Sequence, residues 1–232
     1  MPLNILVTGT SRGIGAAIIE ALGDHDIVGH ATTAADGRIA ADLSLPGAAA
    51  SLWRDALARL GTIDVLVNNA GVFEAAPIDL DPAAWTDAWE RTMRINLTAS
   101  AELCRLAILH FRESTGGRIV NVASRAAYRG DSPAHWHYAA SKAGMVAMTK
   151  SIARGYANEG VLAFAVCPGF VMTGMAEEYL SSRGGEQLFA DIPLGRVADP
   201  EEVARTVAWL ATDAPASMTG AVLDLNGASY VR

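Results

Sequence analysis

Apolar and polar residues follow two periods along this chain, and each change of period marks an element. Residues 4–8 form a short apolar, β-branched run, and after a glycine-containing turn residues 16–22 set apolar side chains at helical spacing. That is strand, turn, helix. Further apolar runs at 26–31, 38–41, 65–67, 117–122, 162–166 and 221–225 predict strands, with periodic stretches between most of them. Leu52, Trp53, Ala56, Leu57 and Leu60 give one helix its apolar stripe, and Ser44 and Pro46 mark its start. Asp81 and Pro82 open a helix that runs past Trp85, Trp89, Met93 and Leu97 to about His110, residues 138–156 form another, and Asp199-Pro200-Glu201-Glu202 caps one that ends near Ala211. This alternation predicts an α/β fold whose ligands sit at the carboxyl edge of the strands. One connection departs from it. Residues 32–37 are too few for the crossover helix that parallel strands normally need, so that link should be short and irregular.

Composition narrows the partners. A chain of 232 residues, 51% hydrophobic and 19% charged, suits one domain, 1–232, with a large core. A net charge of -7 argues against nucleic acid or an anionic membrane surface, since either needs a basic face, and leaves small molecules. Cys104 and Cys167 lie far apart and form no Cys-x-x-Cys pair, so neither a disulfide framework nor a zinc site is expected. Without a charged leader or an apolar run of membrane-spanning length, the expectation is a soluble, cytoplasmic protein.

The chemistry-bearing residues fall at strand ends. Gly9, Gly13 and Gly15 permit a tight turn and a close backbone approach to a pyrophosphate, with free N–H groups at the following helix start favouring its charge. Ala16 stands where a P-loop would need lysine, so a dinucleotide is the better ligand. Asn68-Asn69-Ala70-Gly71 closes the strand at 65–67, either as a turn with bonded side chains or as a floor for a ligand. Asn96 lies inside a predicted helix; buried, it needs partners, which points to a bound water or a local kink. Tyr138 and Lys142 are four apart and share a helix face, where the ammonium would lower the phenol's pKa toward the useful range. Ser124, after the strand at 117–122, would bring its hydroxyl to the same pocket. The polar, mixed stretch at about 174–195 reads as a mobile lid. His135 and His137 suggest no metal, because a helix would point them to different faces and no third ligand is evident.

Taken together, Thr8-Gly9-x-x-x-Gly13-Ile14-Gly15, Asn68-Asn69-Ala70-Gly71, Asn96, Ser124, Tyr138-x-x-x-Lys142 and Pro168-Gly169 resemble the short-chain dehydrogenase/reductase family over nearly the full length. The resemblance implies a single doubly wound Rossmann-type domain with a seven-stranded parallel sheet flanked by helices. It also implies hydride transfer between nicotinamide and an alcohol or carbonyl, in a homotetramer built through the helices at 81–112 and 138–157, whose faces carry Leu103, Leu106, Met145 and Met148. By position, Tyr138 would exchange the proton with substrate oxygen, Ser124 would hydrogen-bond that oxygen, Lys142 would hold the nicotinamide ribose, and Asn96 would hold a relay water. Gly9, Ser11, Gly13, Ile14 and Gly15 would line the pyrophosphate, Asp42 and Leu43 the adenine, Asn68, Ala70 and Gly71 the adenosine side, and Pro168, Gly169, Val171 and Thr173 the nicotinamide end. The interval from Ser124 to Tyr138 is one residue longer than the family's usual one, so the loop should bulge while both hydroxyls still meet.

Which dinucleotide is used turns on the end of the second strand. No carboxylate stands within residues 29–33, Asp36 being the nearest acid, whereas Arg12 is placed to reach a 2′-phosphate with Thr32 or Thr33 adding hydroxyl contacts. NADP is therefore expected over NAD. Two alternatives stand beside a small-carbonyl oxidoreductase: a 3-oxoacyl reductase acting on carrier-protein or CoA thioesters, and a dinucleotide-binding sensor without catalysis. The first is weakened by the lack of positive charge at Thr115 and Glu159, and the second by the presence of Asn96, Ser124, Tyr138 and Lys142 together.

Overall fold

A computed structural model describes residues 2–34, 37–172 and 191–232. Seven parallel strands form one sheet: β1 (Asn4–Val7), β2 (Asp26–Ala31), β3 (Ile39–Ala40), β4 (Val65–Asn68), β5 (Gly117–Val122), β6 (Val161–Pro168) and β7 (Val222–Leu225), in the order β3-β2-β1-β4-β5-β6-β7. The order reverses between β1 and β4. Ligands of open α/β sheets bind in the crevice beyond the strand ends at such a reversal. As expected from its length, the β2–β3 link has no room for a helix, yet His30 and Ala31 pair in parallel with Ile39 and Ala40.

Helices α1 (Gly13–Ala21), α2 (Ala48–Leu60), α3 (Pro82–Met93), α4 (Ala99–Glu113), α5 (Ala126–Arg129), α6 (Trp136–Tyr156) and α7 (Pro200–Thr212) complete the described elements, with short 3₁₀ turns after α6 and α7. Strand residues alternate between faces, and that alternation creates two cores. Leu6, Leu66 and Ile119 pack under α2 and α4 with Leu52, Trp53, Leu103 and Phe111, whereas Ile5, Val7, Val67 and Val120 pack against Ile18, Val203 and Val207 of α1 and α7. Helix α7 starts as its sequence predicts, with a capping box between Asp199 and Glu202 and proline in the first turn. Helix α2 starts two residues beyond Pro46: Gly47, at φ 79°, is its N-cap, while Asp42 accepts from the Ser44 N–H and hydroxyl and closes a separate turn.

The long helix expected from 81 to 110 is present and unbroken in backbone, but it changes winding part-way. Residues Arg94–Thr98 form a π-helical turn between α3 and α4, centred on buried Asn96. A single π-turn inserts one residue into the helical ladder and re-aims the side chains on either side. Here it turns the amide of Asn96 toward the carboxyl edge of β4, where its Oδ1 accepts from the Val72 N–H at 2.8 Å and its Nδ2 donates to the Val72 carbonyl at 3.0 Å.

Candidate active site

The glycine turn is built from three strands. Gly9 (φ 69°) and Gly13 (φ 56°) occupy the left-handed region, and a Cβ on Gly15 would fall 2.0 Å from the Gly9 carbonyl oxygen. Asn69 donates to the carbonyls of Thr8 and Gly9 at 3.0 and 2.9 Å, and buried His30 accepts the Gly9 N–H at Nδ1 while its Nε2 donates to the Ala41 carbonyl. Burial holds the His30 pKa low, so the ring is neutral and keeps this donor–acceptor pair. Nothing in the spacing of the sequence marked His30. At the turn's far side, Arg12 is the N-cap of α1 and makes no side-chain cap, leaving the first-turn N–H groups of α1 to an incoming anion. Ser11 and Arg12 are exposed beside them, and Ile14 is half-buried. This arrangement fits a dinucleotide pyrophosphate.

Three expected cofactor residues point elsewhere. Asn68, the last residue of β4, is fully buried: its Nδ2 donates to Asn121 Oδ1 at 2.9 Å and to Cys104 Sγ at 3.3 Å. The two-residue period of a strand sends Asn68 and Asn69 to opposite sides, and it is Asn69 that serves the turn. Leu43 packs into the core with Val28 and Ile39, which leaves only its backbone for an adenine, and Val171 is likewise a core side chain. Asp42, carrying both Ser44 bonds, has its carboxyl held below the ordinary range. Thr32 and Thr33 are exposed after β2, and the stem of Arg38 lies 3.5 Å from where a Gly29 Cβ would stand, adding a second arginine that sequence reasoning missed. Asp36, Thr173 and residues 174–190 of the expected lid lie outside the described residues. Residues 191–195 are anchored, with Ile192 buried and the Leu194 N–H donating to the Gly227 carbonyl.

The reactive groups converge at the carboxyl ends of β4, β5 and β6. Helix α6 carries Tyr138, Ser141 and Lys142 on one side, and Lys142, 4% exposed, donates to the Val122 carbonyl at 2.8 Å from a point 5.9 Å from the Tyr138 ring centroid. Gly71 forms the floor: a Cβ there would lie 3.3 Å from Asn96 Oδ1 and 3.5 Å from Lys142 Nζ. Ser141 links the π-turn to the tyrosine, accepting from Asn96 Nδ2 at 3.2 Å and donating to the Tyr138 carbonyl at 2.7 Å. Pro168 and Gly169 end β6 beside Ser124, where the Arg125 N–H donates to the Pro168 carbonyl and Gly169 packs on Asn226. The longer Ser124–Tyr138 interval is taken up by one-turn α5, left-handed Gly130 and a loop tied down by the Ala76 N–H to the Ala134 carbonyl. Ser124 lies near enough to the Tyr138 phenol to pull its pKa down, and its Oγ accepts the Ala126 N–H at 3.1 Å.

The electrostatics correct one expectation. Burial pushes the Tyr138 phenol up to about 12, against the pull of Ser124, and pushes the Lys142 ammonium down to about 8. Desolvation outweighs the attraction that the spacing suggested. Burial also raises the thiols of Cys104 and Cys167 to about 12 and about 11, so neither is a ready nucleophile. His135 and His137 do not diverge, because His135 precedes the first turn of α6; the rings stack with centroids 6.4 Å apart. No group of three or more His, Cys, Asp or Glu among the described residues has the arrangement of a metal site. Phe73 stacks on His135 at 3.9 Å and meets Tyr138 edge-on at 4.8 Å, an aromatic wall that the sequence did not announce.

A family model described as enoyl-(acyl carrier protein) reductase matches residues 9–227. The chain is 33% identical over 240 residues to the 3-oxoacyl-(acyl-carrier-protein) reductase FabG of Vibrio cholerae, covering 97% of this chain and 96% of that one. The chain belongs to the short-chain dehydrogenase/reductase family. The acetoacetyl-CoA reductase of Rhizobium meliloti is 35% identical over 239 residues, with 97% of each chain covered. Among solved structures, the ligand-free aldohexose dehydrogenase of Thermoplasma acidophilum superposes with a TM-score of 0.87 at 27% identity, over 100% of this chain and 95% of that one. As a short-chain dehydrogenase/reductase, the protein is an oxidoreductase that acts on CH–OH or keto groups with a nicotinamide cofactor. No described helix is long and apolar enough to cross a membrane.

Proposed function

We propose that this oxidoreductase interconverts a small carbonyl compound and its alcohol, with Tyr138 as the proton donor and acceptor. The observation that carries the reading is buried Lys142, fixed on the Val122 carbonyl at 2.8 Å and 5.9 Å from the Tyr138 ring centroid on the same face of α6, at the mouth of the sheet reversal where Ser124 follows β5. The hydroxyls of Ser124 and Tyr138 at that edge suit a carbonyl oxygen that accepts from both. A bound nicotinamide supplies or accepts the hydride. Tyr138 gives the oxygen its proton as the carbonyl becomes an alcohol and takes it back in reverse, while Ser124 orients that oxygen. Lys142 would hold the nicotinamide ribose, and its charge, where retained, favours phenolate. Asn96 spends its side chain on Val72 and Ser141, so it positions the first turn of α6, and a relay water would sit beside this brace.

NADP is the preferred cofactor in this reading, supported by exposed Arg12 at the α1 start, by Arg38 against Gly29, and by the absence of acid in 29–33. The protein works in the cytoplasm as a homotetramer on a small soluble substrate, without nucleic acid or membrane. A 3-oxoacyl reductase is the second reading, favoured by the two named reductases at 33% and 35% identity. Arg112, one turn before Thr115, is paired with Glu159, so this end of the molecule offers an acidic carrier protein little free positive charge.

Nicotinamide absorbance, followed with NADPH and with NADH over a panel of small polar ketones, oxo acids and 3-oxoacyl thioesters, tests the choice. Turnover of small carbonyls with NADPH is expected; turnover confined to thioesters would replace this reading by the second.

A further inference from the structure

Arg125, directly after Ser124, is the one arginine among the described residues that is buried, at 8% exposure. Its guanidinium lies 4.6 Å from the centroid of the Phe170 ring, yet its Nη1 has no hydrogen-bond partner. Its backbone N–H donates to the Pro168 carbonyl, which fixes the residue between the ends of β5 and β6, next to Ser124. The charges around it do not answer it. Arg129 repels it from the next turn; of the attracting carboxylates, Asp191 is already bonded to Arg129 at 3.0 Å, and Asp131 is exposed and binds the Ser132 N–H.

A buried cation without hydrogen-bonded compensation is costly, and sequences retain such groups where a ligand completes them. A guanidinium is matched to a planar oxyanion, and stacking on an aromatic ring holds its plane while leaving its edge open. We infer that Arg125 binds a carboxylate of the substrate, so that the compound reduced beside Ser124 and Tyr138 is an oxo acid rather than a neutral ketone. This rests on the oxidoreductase reading and gives it a substrate class. Arg125 acts in binding and orientation; the proton path remains Tyr138.

The test measures kcat/KM for short 2-oxo, 3-oxo and 4-oxo acids and their methyl esters with wild type, Arg125→Met and Arg125→Lys. Wild type is expected to favour at least one acid over its ester, Arg125→Met to lower that ratio about tenfold or more through KM, as for a lost charged hydrogen bond, and Arg125→Lys to restore part of it. A wild type indifferent to the ester, or a ratio unchanged in Arg125→Met, overturns the inference. Dinucleotide titration reports whether each variant folds; if Arg125→Met does not, the wild-type ratio and Arg125→Lys decide. If no carbonyl is turned over, the small-carbonyl reading fails, while the anion site stands or falls on whether the acids raise the melting temperature of wild type and not of the folded variant.

Discussion

Tyr138 and Lys142 are driven in opposite directions by the same burial, the phenol to about 12 and the ammonium to about 8. Both shifts favour neutral groups, and they have a consequence for stability. Lys142 is a base whose folded pKa lies below its ordinary 10.5, so between about pH 8 and pH 10.5 the unfolded chain holds more proton and raising pH stabilises the fold through this residue. Buried thiols and the phenol act oppositely above about pH 9, because their folded pKa values are raised. The difference between wild type and Lys142→Met isolates the lysine. Wild type should gain roughly 1–3 kcal/mol on the variant across that window in denaturant melts, and a pH-independent difference would mean that Lys142 titrates normally. At the turn, Arg12→Ala should weaken NADP about tenfold, the size of a charged hydrogen bond, and NAD far less; equal losses in a fluorescence titration would remove Arg12 from the phosphate site. Residue identities were legible here and environments were not. Spacing put Tyr138 and Lys142 on one face, but how deeply α6 buries them depends on packing against β5 and β6, which no local pattern encodes. Asn68 and Asn69 show the same limit, since one residue of strand register decides which amide serves the turn.

At the scale of elements, the π-turn Arg94–Thr98 is where the sequence was partly readable: an asparagine inside a helix predicted a kink or a water, and the helix is locally rewound at that residue. What the pattern did not show was its purpose, because Asn96 finds its partners in Val72 and Ser141, far along the chain. Asn96→Ala leaves the Val72 N–H and carbonyl without these bonds and frees Ser141, at a cost of about 2 kcal/mol in denaturant unfolding. A larger relative loss is expected in kcat, as the first turn of α6 loses its brace. Wild-type kcat in a folded variant would show that the brace is dispensable. Strand and helix positions were otherwise recovered to within a few residues, while the four-residue helix α5 was missed because one helical turn has no periodicity to detect.

The whole molecule shows why the sheet order matters more than any single motif. Residues more than 100 positions apart, from Gly9 to Pro168, reach one edge because every strand points the same way and the order reverses between β1 and β4. Alternating strands and helices made that arrangement legible; the outer faces were less so. Leu103 and Met145, expected to join subunits, are buried inside this one, leaving half-buried Leu106 and Met148, with Leu109 43% and Trp209 39% exposed. The proposed tetramer would cover these faces, and light scattering at micromolar concentration should give four times the 24.3 kDa chain mass; a monomer would remove the proposal. The central claim is that the phenol of Tyr138 carries the proton at an intact dinucleotide site, and the most direct measurement is turnover of Tyr138→Phe under saturating cofactor, beside its dinucleotide affinity. The account predicts a rate lowered by at least about 10²-fold, the lower end of general acid–base contributions, with cofactor affinity close to wild type. A variant that keeps most of the wild-type rate would contradict it.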